Sequence, residues 1–263
     1  MFSQEPDHLP RVCAVSYLNT LPLVWGMLHG PQRRLFDLSF AVPSVCADRL
    51  AAGVADIGIV PCVEVPRLGL TALPGTGIVS QGAVRSILLI TKTDPRRIRT
   101  LATDSSSRTS VALARIILSR GYDCEPELHS MAPDLDRMLA RADAALIIGD
   151  PALRIDPDKL PYPALDLGLE WRRLTGLPMV FAVWAGRPER VRPEWEAAFK
   201  KSYEYGAAHM AQILDASTRG HAIPRELAER YLTQNVTFEL GPAEYEGMDR
   251  FLSYAAELTP VLS

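Results

Sequence analysis

Hydroxyl and amide side chains stand just past the ends of short apolar runs in this chain. Ser16 and Asn19 follow residues 12–15, Ser86 opens the run 87–90, Ser105, Ser106, Thr109 and Ser110 follow 101–103, and Asp150 closes 145–150. Open sheets gather their ligands at such strand ends. Hydroxyls beside the free backbone N–H groups of a helix N-terminus suit a carboxylate, because the donors converge and the helix dipole favours negative charge. The expected ligand is therefore a small organic anion. Asp150, if desolvated in a closed cleft, could have its pKa raised toward that of a general base.

Each position also has a purely structural use. Residues 105–110 can be an N-cap run, Asn19 can cap a helix starting near Leu21, and Asp150 before Pro151 is a common turn and cap arrangement. Arg85 and Ser86 can be ordinary strand-edge residues. The chain has no phosphate-binding Gly-x-x-x-x-Gly-Lys loop, no His-Glu-x-x-His and no Gly-x-Ser-x-Gly elbow. Gly75-Thr76-Gly77 with Gly82 lacks the dinucleotide spacing and reads as a turn. His8, His29, His129, His209 and His221 stand alone in the sequence, which disfavours a His-centred mechanism.

These side chains need a scaffold, and 48% hydrophobic residues in 263 supply the core for one large domain or two lobes. The 28 Lys and Arg are interspersed with 31 Asp and Glu for a net charge of −3, so no basic stripe points to nucleic acid. The clusters at 95–99 and 171–173 read as solvated faces or cleft rims. Cys13, Cys46, Cys62 and Cys124 form no Cys-x-x-Cys pair and read as buried thiols, with no metal expected. The start, Met1 to Arg11, lacks the basic-then-apolar order of a secretory signal, and no window reaches the ~18 apolar residues of a membrane helix. The expectation is a cytoplasmic protein with a small-molecule substrate and no membrane partner. General frequency favours a homodimer.

Apolar runs alternate with amphipathic segments, the pattern of an α/β protein with largely parallel sheets. Strands are expected at 12–15, 38–42, 56–61, 86–92, 101–103, 145–150 and 181–185. Ser44 is placed to cap a helix through Leu50. Further helices are expected at 107–120, stopped by Gly121, at 133–142, and in a tail at 193–217, 224–233 and 242–258. Turn chemistry at Thr93-Asp94-Pro95 suggests two lobes discontinuous in sequence, 1–93 with 184–263 and 94–183, joined by two crossings around a central cleft.

Five segments, taken in order, resemble the chorismate dehydratase family of the futalosine route to menaquinone. They are Val15-Ser16-Tyr17-Leu18-Asn19-Thr20-Leu21-Pro22-Leu23, Asp56-Ile57-Gly58-Ile59-Val60-Pro61 with Ala55 before it, Ser105 to Ser110, Ile147-Ile148-Gly149-Asp150, and Thr175-Gly176-Leu177-Pro178-Met179-Val180-Phe181. The likeness runs from about Arg11 to Arg187. It implies a type-two periplasmic-binding-protein fold, two α/β lobes around a cleft. It also implies a cofactor-free loss of water from chorismate, giving 3-(1-carboxyvinyloxy)benzoate.

On that resemblance Ser105, Ser106, Thr109 and Ser110 would hold the ring carboxylate. Asn19 and Ser86 would orient the ring and its leaving hydroxyl, and Ser16, Tyr17 and Arg85 would complete the substrate contacts. Asp150 or the substrate's own enolpyruvyl carboxylate would take the ring proton. Two alternatives stand beside this reading. One is the sister enzyme dihydroxynaphthoate synthase, which usually opens with a Ser-Pro-Cys-Pro-Asn-Asp-Thr-like segment where Ser16 to Thr20 stand here. The other is a non-catalytic binder of an aromatic or dicarboxylate anion.

Overall fold

The computed structural model describes residues 9–258; His8 and most of the N-terminal stretch considered above lie outside them. The strands are β1 Arg11–Val15, β2 Asp37–Ala41, β3 Ile57–Pro61, β4 Thr71–Ser80, β5 Ile87–Thr91, β6 Thr100–Asp104, β7 Glu127–Met131, β8 Ala144–Ile148, β9 Ala164–Asp166, β10 Met179–Gly186 and β11 Thr237–Glu239. The helices are α1 Leu21–His29, α2 Pro43–Ala51, α3 Glu64–Arg67, α4 Thr109–Tyr122, α5 Leu135–Arg141, α6 Gly149–Arg154, α7 Leu167–Thr175, α8 Pro193–Ala208, α9 Met210–Gly220, α10 Arg225–Arg230 and α11 Pro242–Ala256.

Two sheets organise the chain, with strand orders β11-β4-β10-β3-β1-β2 and β7-β6-β8-β5-β9. The continuous apolar runs become strands buried along their whole length, β3, β5 and β8 among them. Both sheets are mixed rather than largely parallel. In the first, β10 runs antiparallel to β3 and β4; in the second, β5 runs antiparallel to β8 and β9. The expected division at residues 93 and 184 does not follow the sheets. β5 pairs Leu88 with Ile147 and Asp166 of the second sheet, and β10 begins at Met179 in the first. The chain changes sheets between Ser80 and Ile87 and again between α7 and Met179. A buried apolar strand bounded by turns on both sides carries no local mark of the sheet it joins.

Several expected boundaries move for physical reasons. Proline opens α1, α2, α8 and α11 within their first two residues. Pro43, not Ser44, therefore starts α2. α4 runs through Gly121 and ends where Asp123 takes a left-handed conformation at φ 50°. The expected single helix over 193–217 breaks at His209, which leaves helical geometry at φ −117°, ψ 27°. Gly75 and Gly77 lie within β4, not in a turn: a Cβ on Gly77 would come 2.6 Å from the Ala182 carbonyl, so glycine lets β4 pack closely on β10. The cysteines are all free and buried, with Cys13 and Cys46 Sγ 3.2 Å apart.

Candidate functional site

A cleft with about 550 Å³ of empty space, open solvent included, lies between the sheets. Val15, Pro61, Ile78 and Phe181 face it from the first sheet, Ile87 and Ile148 from the second. Its polar lining is Tyr17, Asn19, Thr20, Ser86, Ser107, Thr109 and Ser110. None of the described residues that line it is Asp, Glu, His, Lys or Arg. It is an apolar slot with neutral donors and acceptors.

The polar groups come from three places. A short 3₁₀ turn, Leu18–Thr20, follows β1 and brings Asn19 and Thr20 inward; Asn19 makes no helix-capping bond. Thr20 is fully buried and its hydroxyl has no hydrogen-bond partner, a state that native proteins seldom leave without a use. Ser86 sits 2% exposed at the threshold of β5, and its carbonyl accepts from Gly149 N–H at 2.7 Å. Thr109 and Ser110 form the first turn of α4. The Thr109 hydroxyl accepts from Val63 N–H at 3.5 Å, and Ser107 Oγ accepts from Ser110 N–H at 3.3 Å. The start of α4 is thus tied to the segment after β3.

Tyr17 spans the gap between the two sheets. Its hydroxyl lies 3.2 Å from Ser106 Oγ, and Ser106 in turn donates to Asp104 Oδ1 at 2.7 Å. Burial pushes the Tyr17 phenol up, so it stays protonated. Gly149 takes φ 62° beneath the ring, where a Cβ would come 2.6 Å from Tyr17 Cε2.

The sequence-selected residues therefore divide. Tyr17, Asn19, Ser86, Thr109 and Ser110 meet on one cleft, and Ser106 reaches it through Tyr17. Ser16 and Ser105 are exposed and outside its lining. Arg85 points elsewhere: its guanidinium donates to the Ala152 carbonyl at 3.0 Å and to that of Ile155, satisfying the C-terminal end of α6. Its backbone, at φ 64°, donates to Asp166. Asp150 lies in the first turn of α6, beyond the strand it was expected to close, and outside the lining. Both its oxygens are engaged, Oδ1 by Leu18 N–H at 3.0 Å and Oδ2 by His221 Nδ1 at 2.5 Å. His221 is thus paired, not isolated.

The tail supplies another residue, which no sequence motif marks. Tyr231, 1% exposed, accepts from Asn19 Nδ2 at 2.9 Å and donates to Ser86 Oγ at 2.9 Å. The sequence placed it only within the helix expected at 224–233. No group of three or more His, Cys, Asp or Glu side chains suited to a metal occurs among the described residues. No helix among them is long and apolar enough to cross a membrane.

Comparison with known proteins agrees with this architecture. A chorismate dehydratase of Thermus thermophilus is 27% identical, the match covering 92% of both chains. A crystal structure from Archaeoglobus fulgidus superposes with a TM-score of 0.75 at 14% identity, covering 96% of this chain and 98% of the other. The aliphatic sulphonate-binding protein SsuA of Escherichia coli gives a TM-score of 0.65 at 12% identity, covering 96% and 88%. The fold is that of the periplasmic binding proteins. Residues 10–257 match the menaquinone biosynthesis family, and the chain belongs to it.

Proposed function

We propose that this protein is a chorismate dehydratase, a carbon–oxygen lyase acting in the cytoplasm on the futalosine route. The observation that carries the reading is the composition of the cleft: neutral hydroxyl and amide groups on apolar walls, with no carboxylate or imidazole on its lining. Chorismate is a dianion whose ring hydrogen, beside the enolpyruvyl ether, is conjugated through a double bond to the ring carboxylate. Thr109 and Ser110, at the N-terminal end of α4, are placed to receive that carboxylate and to stabilise the charge that develops on it. Removing the ring proton sends its electron pair toward the carboxylate. The pair then returns as the neighbouring C–O bond breaks, the hydroxyl leaves as water with one proton, and the ring becomes aromatic.

Asn19 and Ser86 would orient the ring and the departing hydroxyl. Asp150, engaged on both oxygens and off the cleft, is better suited to positioning than to proton abstraction. The base in this reading is the substrate's own enolpyruvyl carboxylate. Two lobes hinging at the sheet crossings would exclude water during the reaction.

Incubation of purified protein with chorismate tests the proposal. The expected result is an aromatic absorbance spectrum and a product lighter by one water. Measurable binding with an unchanged spectrum would make the protein a receptor instead.

A further inference from the structure

We infer that Tyr231 is a positioning residue for the reaction, setting the orientation of both Asn19 and Ser86 and directing the Ser86 hydroxyl proton into the cleft. The inference rests on the functional reading above and adds to it a residue from the C-terminal tail.

A phenol has one proton to give and lone pairs to share. In Tyr231 the proton goes to Ser86 Oγ and a lone pair receives an amide proton of Asn19, each at 2.9 Å. Ser86 is thereby used as an acceptor on the protein side. Its own proton remains available on the cleft side, where the substrate hydroxyl must leave. A hydroxyl that accepts one hydrogen bond donates a stronger one, because bonds in a chain polarise each other. The order Asn19, Tyr231, Ser86 therefore points donor strength toward the leaving group.

Two features fit this use better than simple packing. Tyr231 opens a π-helical turn, Tyr231–Asn235, in which Val236 N–H reaches the Tyr231 carbonyl at 3.2 Å. Such turns sacrifice regular helix geometry and concentrate at functional sites. Burial also pushes the phenol well above its ordinary pKa of 10, so it remains a donor throughout the pH range in which enzymes work.

The test is Tyr231→Phe in the full chain, which keeps the ring and deletes the oxygen. Expected are a fall in kcat of about 10- to 100-fold, as for outer-shell partners elsewhere, with KM changed less than about threefold. Tyr231→Phe is also expected to add little once Ser86 is alanine. An unchanged kcat, or effects that multiply in the double variant, would overturn the inference. A crystal structure of the variant reads the same role without substrate: rotated Asn19 or Ser86 side chains support it, and unmoved ones overturn it. If the wild type fails to convert chorismate, the functional reading falls and this structural arm still decides the inference. Should Tyr231→Phe not fold, the cycle of Asn19→Ala and Ser86→Ala takes its place. Coupling through Tyr231 predicts a combined loss smaller than the product of the single losses, and independent losses would refute it.

Discussion

The Asp150 carboxylate meets the His221 ring at 2.5 Å between Oδ2 and Nδ1, although 71 positions separate them in the chain. Through Oδ1 the same carboxylate holds the backbone of Leu18, beside Asn19. Asp150 thus pins the cleft-lining turn 18–20 to α6 and to the end of α9. Asp150→Asn keeps an acceptor for Leu18 and removes the charge facing His221. A hydrogen bond to a charged group contributes about 1.5–3 kcal/mol. We expect a melting temperature lower by several degrees and a kcat within about tenfold of wild type. A general base would lose far more, so the kcat of this variant separates the two roles.

Thr20 offers a sharper contrast. Its hydroxyl is buried without a partner, so Thr20→Val, nearly the same shape, should leave stability unchanged or raise it by about 1 kcal/mol. If the hydroxyl serves the substrate, KM for chorismate should rise by roughly tenfold, the value of one hydrogen bond to a charged group. Thermal unfolding and steady-state kinetics on one preparation give both numbers. An unchanged KM would remove Thr20 from the substrate contacts.

At Gly149 backbone and side-chain demands coincide. Alanine there must hold φ 62°, costing about 1–2 kcal/mol, and its methyl would displace the Tyr17 ring. Gly149→Ala should lower the melting temperature, and it should raise KM by loosening the Tyr17–Ser106 contact. Tyr17→Phe should reproduce the kinetic part without most of the stability loss.

Acid stability depends in part on Asp56. Burial pushes its carboxyl up, but hydrogen bonds and charge from Arg11 outweigh burial, leaving the pKa below the ordinary 3.8. Arg11 Nε and Nη2 donate to it at 3.1 and 3.0 Å. The unfolded chain then binds the proton more readily than the folded one, so stability rises with pH across this window. The contribution is present above 3.8 and lost as pH falls through the folded value. Asp56→Asn should lower stability at neutral pH and flatten its decline in acid, which urea unfolding at a series of pH values would measure.

The alternation of apolar runs and amphipathic segments made most of the strands and the cleft-forming strand ends legible in the sequence. Asn19, Ser86, Thr109 and Ser110 could be chosen because a strand end carries its own local signature. Arg85 could not be read that way, since its left-handed backbone and its bonds to α6 depend on a turn whose partners lie far along the chain. Tyr231 and His221 were invisible for the same reason. Tyr231 lies in an expected helix and His221 between two of them, and only the return of the tail onto the turn after β1 and onto α6 gives them a role. The sheet assignment of β5 was likewise a matter of pairing over distance, which an apolar run does not encode.

The Tyr231 contacts join positions 212 and 145 residues apart, and the Asp150 contact with Leu18 spans 132. Contacts closing such long stretches of chain are the costliest in loop entropy and tend to form late. The proposed activity should therefore be among the last properties a refolding chain acquires, after its helices and the second sheet have formed, and together with the β4–β11 pairing that completes the first. A refolding time course would show activity lagging circular dichroism, and the lag would lengthen if the last turns of the tail were destabilised. The site doubles as a checkpoint on assembly: a chain that has not brought its C-terminal helices home lacks the Tyr231 hydroxyl that joins the Asn19 and Ser86 side chains.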